Sequence, residues 1–298
     1  MIKLTFLGTS FAIPTKSRNH TSVFFSYKNE NILIDCGEGT QRQFRKAGLN
    51  PCKITRILLT HKHADHSLGL PGLLKTLDLS GYGKTLFIYG PRGIKNFIEN
   101  ILKTFGEVAN YKIEVKEVDG KFFETDDFYL SAEKMFHGVP CNSYSFVIKE
   151  KIRINKEKLK KLKEISIENL KKLKQGRDIT HNGKKYLAKN LTFIETGRKI
   201  SFVYDTSIED KIAKFVRDSD LLVCEATFHS DLEKEAKEKK HLTAEQAGEI
   251  AKKANLKQLI LTHISQRYEK NLKEILDDAK KNFKNVSIAK DLESFEVK

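Results

Sequence analysis

Apolar and polar residues follow two periods along this 298-residue chain. Residues 2–8, 21–27 and 31–35 have the short, β-branched and aromatic character of strands, the last two joined by Lys28-Asn29-Glu30 at hairpin spacing. Ile57-Leu58-Leu59-Thr60 is a short continuous apolar run, which predicts a buried strand. The same criteria predict strands over residues 85–89, 112–118, 129–136, 144–148, 200–204, 221–224 and 259–262. A helical period predicts helices near residues 41–47, 94–104, 208–217, 243–254 and 272–283. Strands alternating with helices imply a layered α/β fold. The β-rich opening and the later β-α stretch suggest two similar halves.

The strands end alike. The run at 57–60 passes straight into His61-Lys62-His63-Ala64-Asp65-His66, and other strand patterns stop at His137, Asp205, Glu225 and His263. The carboxyl ends of strands are where α/β proteins place ligands. Imidazole is the commonest side-chain metal ligand, and carboxylate oxygen suits the same cations. His61, His63, Asp65, His66, His137, Asp205 and His263 supply seven such donors, more than the four a closed structural zinc uses. Two metals sharing a carboxylate fit that number, and the chemistry they imply is hydrolysis. No cysteine pair competes, so zinc is favoured, with manganese as the alternative. Asp35, ahead of Gly37-Glu38-Gly39, either orients a ligand or caps a turn; the two glycines predict a tight turn and give only a weak phosphate-loop signal.

Composition narrows the setting. The four cysteines form no CxxC pair, which predicts reduced thiols and a cytoplasmic protein. No apolar run approaches the ~18 residues of a membrane helix, and the first residues have a strand-like rather than a signal-peptide layout. The formal charge of +15 is unevenly spread. Residues 151–190 hold 14 Lys plus Arg against 4 Asp plus Glu, a net of +10, which leaves +5 for the rest. Leu159, Leu162, Leu170 and Leu173 recur there at helical spacing, with Ser166 placed to cap a helix and Gly176 to end it. This predicts an inserted basic helical arm whose partner is a polyanion, above all nucleic acid.

The motifs FLGTS, PTKSRN (14–19), DCGEGTQ (35–41), THKHADH (60–66), GLPGLL (69–74), HGVP (137–140), EATF (225–228), HLTAEQA (241–247) and LTHISQRY (261–268) together span nearly the whole chain. The chain thereby resembles the metallo-β-lactamase superfamily and, within it, the ribonuclease Z family. That resemblance implies an αββα sandwich, a single domain over 1–298 with 151–195 as an inserted tRNA-binding arm, and a homodimer. It implies an endoribonuclease that removes the 3′ trailer from precursor tRNA, leaving a 3′-hydroxyl on the tRNA. It assigns two zinc ions per subunit, one to His61, His63 and His137, the other to Asp65, His66 and His263, with Asp205 bridging. A metal-bound hydroxide would attack the phosphorus, Asp65 assisting as base. His241, oriented by Glu225, would protonate the leaving 3′-oxygen. Thr243 and Arg267 resemble phosphate contacts. Lys16, Arg18 and Asn19 lie in the loop that senses the RNA 3′ end in that family. The arm departs from the family pattern, being lysine-rich where a Gly/Pro-rich tip is usual. Two competing readings remain: another hydrolase of the superfamily acting on small phosphodiesters, sulfate esters or lactones, and a non-catalytic RNA-binding protein.

Overall fold

The computed structural model describes residues 2–106, 110–160, 162 and 164–297. Met1–Phe123, Leu130–Phe146 and Lys199–Lys298 form one compact unit, and Glu124–Tyr129 with Val147–Arg198 a second.

The first unit is built on two large sheets of seven strands each. In one, the strands run in the order Ser294–Val297, Ile2–Gly8, Ser22–Tyr27, Glu30–Ile34, Arg56–Leu58, Leu86–Gly90, Ile113–Glu117. Its first half is antiparallel, with Ile2 opposite both Val297 and Tyr27, and its second half is parallel. In the other the order is Val286–Ile288, Leu259–Thr262, Leu221–Glu225, Arg198–Val203, Pro140–Ile148, Phe128–Phe136, Gly120–Glu124. Its first four strands are parallel. The two sheets thus share a plan, the similarity of halves that the sequence pattern suggested.

Each sheet is buried on both faces. Phe25, Phe146 and Phe202 meet between the sheets, with ring centroids 4.6 Å and 6.2 Å apart for the pairs Phe25–Phe146 and Phe25–Phe202. On the outer face of the first sheet, Leu33, Ile57 and Ile88 pack with Phe44, Leu73, Leu77 and Ile98 of the helices Thr40–Lys46, Leu70–Leu79 and Ile94–Phe105. Leu222, Leu259 and Leu261 of the second sheet pack likewise with Ile212, Ala247, Ala251 and Ile275 of the helices Asp210–Phe215, Ala244–Lys253 and Leu272–Lys280. Continuous apolar strands with helices outside are what double-faced burial of a parallel sheet demands. The fold is the metallo-β-lactamase αββα sandwich.

Several elements escaped the sequence pattern. The helix Leu70–Leu79 starts with Pro71 in its first turn, where a missing N–H costs nothing, although Gly69-Leu70-Pro71-Gly72 reads locally as a turn. The edge strands Gly120–Glu124, Val286–Ile288 and Ser294–Val297 are short and mixed in polarity.

The second unit holds the basic segment, and it is not purely helical. Helices Lys156–Lys160, Ile167–Lys174 and Ala188–Leu191 are joined by two antiparallel strand pairs, Lys151–Ile154 with Thr192–Glu195 and Ile179–His181 with Lys184–Tyr186. Ser166 caps its helix, its hydroxyl accepting from Asn169 N, and Gly176 follows the helix end at a φ of +73°. Leu173, Ile179, Ala188 and Leu191 form a small core with Leu159 and Leu162 against it, so this segment buries its leucines among themselves.

Candidate metal centre

Every strand end named above opens at the same edge of the first unit. After Arg56–Leu58, the chain reaches His61 and turns at His63 into a one-turn helix, Ala64–Ser67, which carries Asp65 and His66. Gly37 makes this turn possible: a Cβ there would lie 2.4 Å from the Asp65 carbonyl oxygen. Gly37 of DCGEGTQ therefore admits a neighbouring backbone rather than a ligand, and Gly39 faces the Asn19 side chain at a φ of +79°.

The donors form two main groups, and His241 makes a third with Asp205 and His263. His61, His63 and His137 converge with Asp205, and Asp65, His66 and His263 converge beside them. His61 Nε2 lies 2.9 Å from His63 Nδ1, and His137 Nε2 lies 3.3 Å from the same atom. His66 Nε2 and His263 Nε2 are 3.1 Å apart, with Asp65 Oδ2 at 3.5 Å and 3.4 Å from them. Asp205 faces both groups: Oδ2 is 3.5 Å and 3.3 Å from His61 and His137, and Oδ1 is 3.4 Å and 3.2 Å from His66 and His263.

The partners of the outward-facing ring nitrogens determine which lone pairs point inward. His66 Nδ1 donates to Asp35 Oδ2 at 2.7 Å. His61 Nδ1 donates to Thr60 Oγ1 at 3.0 Å, and that hydroxyl donates onward to Asp35. His137 Nδ1 donates to the Lys240 carbonyl at 3.0 Å. His263 Nδ1 donates to Thr227 Oγ1 at 3.1 Å, and that hydroxyl donates to Glu225 Oε2. Each of these four rings therefore turns an Nε2 lone pair into the cluster. Nitrogen lone pairs that close, beside a buried Asp205 Oδ1 with no hydrogen-bond partner, are unfavourable unless cations lie between them. The nitrogen and oxygen donor set fits divalent cations.

The imidazoles and carboxylates of the cluster also shift one another's charge. Burial and the neighbouring imidazoles hold His61 well below its ordinary value. Burial opposes charge on His66, but the Asp205, Asp65 and Asp35 carboxylates outweigh it and raise its pKa. Asp205 is driven well down: burial works against its charge, and His263, His66, His241 and His61 overcome it.

His241 stands next to the donor groups. Its Nδ1 donates to Glu225 Oε2 at 3.0 Å, and Glu225 Oε1 accepts from Thr206 N at 2.7 Å. Burial disfavours the imidazolium, yet the Glu225 and Asp205 carboxylates push its pKa up to about 9. Phe11 meets the rings of His241 and His263 edge-on, with centroids at 5.1 Å and 5.3 Å. A cavity of about 540 Å³ opens over these groups; Phe11, His63, Asp65, His137, Asp205 and His241 line it.

The comparisons with known proteins follow this geometry. A family model described as Anti-Pycsar protein Apyc1 matches residues 2–181, and one described as Beta-lactamase superfamily domain matches residues 170–264. The first stops short of Asp205, Glu225, His241 and His263. Similarity along the whole chain is to Ribonuclease Z of Nanoarchaeum equitans, 40% identical over 98% of this chain and 92% of that one. Ribonuclease Z of Listeria monocytogenes is 39% identical over 99% of each chain. The chain belongs to the ribonuclease Z family. The crystal structure of human tRNase Z, short form, superposes with a TM-score of 0.70 at 28% identity, covering 99% of both chains.

Most of the other residues singled out by their likeness to ribonuclease Z have partners within the chain. The Thr243 hydroxyl accepts from Gln246 N and caps the helix Ala244–Lys253, with the Gln246 side chain reciprocating in a capping box. Arg267 gives its guanidinium fork to Glu235, at 3.0 Å and 2.9 Å, and lies over the Phe228 ring. Arg18 is 5% exposed and turns inward, its Nε donating to Thr9 Oγ1 at 3.1 Å. Asn19 Nδ2 donates to the Glu38 carbonyl at 2.6 Å, and Lys16 is exposed. Sequence reasoning missed Thr60, Thr227 and the Lys240 carbonyl, which orient three imidazoles. A Thr directly before a strand-end His was a signal for the first; the other two had none.

Proposed function

We propose that this ribonuclease Z family endoribonuclease removes the 3′ trailer from precursor tRNA and leaves a 3′-hydroxyl on the tRNA. One observation carries the reading. A buried, carboxylate-paired imidazole, His241, opens on the same cavity as two converging donor groups, in a chain 40% identical to a Ribonuclease Z. His61, His63 and His137 would hold one cation, Asp65, His66 and His263 the other, and Asp205 would lie between them with one oxygen toward each. Zinc suits these donors, with manganese as the alternative. When bound, such cations supply positive charge against phosphoryl oxygens and hydroxide at neutral pH.

The chain's own residues do the rest. Asp65, partly open to the cavity, accepts the proton of the attacking water. Glu225 holds His241 charged, with Nε2 toward the cavity, so that it donates a proton to the departing 3′-oxygen. Help of this kind contributes roughly 10²–10⁴-fold. Residues 151–195, rich in lysine, grip the tRNA body, and Lys16, Arg18 and Asn19 belong to the loop that meets the RNA beyond the cut. The protein acts as a cytoplasmic homodimer. No helix among the described residues is long and apolar enough to cross a membrane, and all four cysteines are free.

The test is a 3′-extended precursor tRNA incubated with the protein and zinc or manganese, with the cut mapped. A cut directly after the discriminator base, abolished by EDTA and restored by added metal, is expected. No cut in either metal, with bis(p-nitrophenyl) phosphate still hydrolysed, would move the protein to the small-substrate hydrolases. RNA binding that survives metal removal and Asp65→Ala, with no hydrolysis of either substrate, would make it a non-catalytic binder.

A further inference from the structure

A second basic cavity adjoins the catalytic one. It has about 300 Å³ and is lined by Lys62, Pro91, Arg92, Gly93, Ile94 and Pro140. Lys62 stands between His61 and His63, but His61 is fully buried in the cluster whereas Lys62 is exposed and lines this neighbouring cavity. Arg92 is exposed beside it. Among the described residues neither cation forms an ion pair, in a unit where most carboxylates already have partners. The start of the helix Ile94–Phe105 contributes little, because Glu117 already accepts from Gly93 N at 2.8 Å. The attraction for an anion comes from the two side chains.

The two cavities lie close together. His137 lines the larger and Pro140 the smaller, so three residues of chain, at most about 11 Å, separate them. Lys240 lies on the rim of the larger cavity, also without an ion pair among the described residues. Its ammonium sits 5.3 Å from the Phe136 ring, on the His137 side. Lys240 therefore adds positive charge between the catalytic cavity and Lys62 and Arg92. The larger cavity is also lined by Phe11, Ala12 and His20, which lead into residues 14–19.

We propose that Lys62 and Arg92 form a phosphate subsite, reached past Lys240, for the RNA backbone immediately before the cut, on the acceptor-stem side. This rests on the precursor-tRNA reading. If residues 14–19 meet the RNA beyond the cut, the segment 137–140 is left for the strand before it. Two unpaired cations one short segment from the scissile phosphate match the charge of the adjoining phosphates.

The experiment is steady-state cleavage of precursor tRNAs carrying trailers of one nucleotide and of twenty, by the metal-loaded protein and by Lys62→Met, Arg92→Gln and Arg92→Lys. Wild-type cleavage of both substrates checks the parent reading separately. Arg92→Gln is expected to raise KM about tenfold on both substrates, the size of one charge-assisted contact. The slope of log(kcat/KM) against log[salt] should flatten by about 1. Arg92→Lys should recover most of the loss. Lys62→Met should add to it, and Arg92→Gln carries the test alone should Lys62→Met fail to fold. An unchanged salt slope would overturn the proposal. So would a defect confined to the long trailer, which would assign the cavity to the RNA beyond the cut.

Discussion

Glu225 Oε2 lies 3.0 Å from His241 Nδ1, and both groups are buried. This pairing fixes the imidazole's tautomer, its orientation and its charge, and leaves Nε2 as the atom that faces the cavity. Replacing Glu225 by Gln keeps the size and removes the charge. The expected result is a fall in kcat of roughly 10–100-fold, typical of losing a group that orients a functional histidine. The pH profile is the more specific check. His241 is held up to about 9, so the wild-type rate should fall only above that pH. With the Glu225 charge gone, the limb should move toward neutrality. An alkaline limb that stays in place in Glu225→Gln would remove His241 as the proton donor.

Asp35 serves His66 and Thr60 at once. It accepts from His66 Nδ1 at 2.7 Å, from Thr60 N at 2.7 Å and from Thr60 Oγ1 at 2.8 Å, and it is fully buried. In Asp35→Asn one acceptor becomes a donor facing an N–H or a hydroxyl. Stability in urea should fall by about 1–3 kcal/mol. Metal affinity should drop roughly 10–100-fold, so in elemental analysis after dialysis the variant should lose its metal at a correspondingly higher free-metal concentration than wild type. Unchanged metal retention would reduce Asp35 to a turn residue.

Asp291 gives a pH-dependent prediction away from the cluster. It accepts from Thr9 Oγ1 at 2.8 Å, Asn19 N at 2.7 Å and Gln43 Nε2 at 2.9 Å, yet burial outweighs these bonds and pushes its pKa up to about 6. Between pH 4 and 6 the unfolded chain has lost this proton while the folded chain keeps it. The unfolded state then binds fewer protons, so this group's contribution to stability decreases as pH rises and levels off above 6. The shift corresponds to roughly 2–3 kcal/mol. Relative to wild type, Asp291→Asn should gain about that much between pH 4 and 6.5 in urea titrations. A wild-type-to-variant difference that is flat across this range would contradict the raised pKa.

By itself the sequence determined most of the strands, the helices Ile94–Phe105 and Ala244–Lys253 to within a residue, and named the seven side chains that converge in the candidate metal centre. These are local signals: a buried strand and an amphipathic helix each reveal their period within ten or so residues, and a strand end is where an apolar run meets a polar residue. The tertiary structure alone decided which of those ends meet. His66 and His263 are 197 residues apart in sequence and 3.1 Å apart in space, and no local pattern encodes that pairing. It also decided the orienting partners. Thr227 and the Lys240 carbonyl hold their histidines because the sheet order brings them there, and a backbone carbonyl carries no residue-type signal at all. The arm's strands went unread for a related reason. They are three or four residues long and lysine-rich, so their pairing depends on a small leucine core assembled from helices on either side. Lys62 illustrates the division best. Its place between two histidines was plain in the sequence, but its exposure beside Arg92 follows from how the fold buries His61 and brings residues 91–94 and 140 alongside.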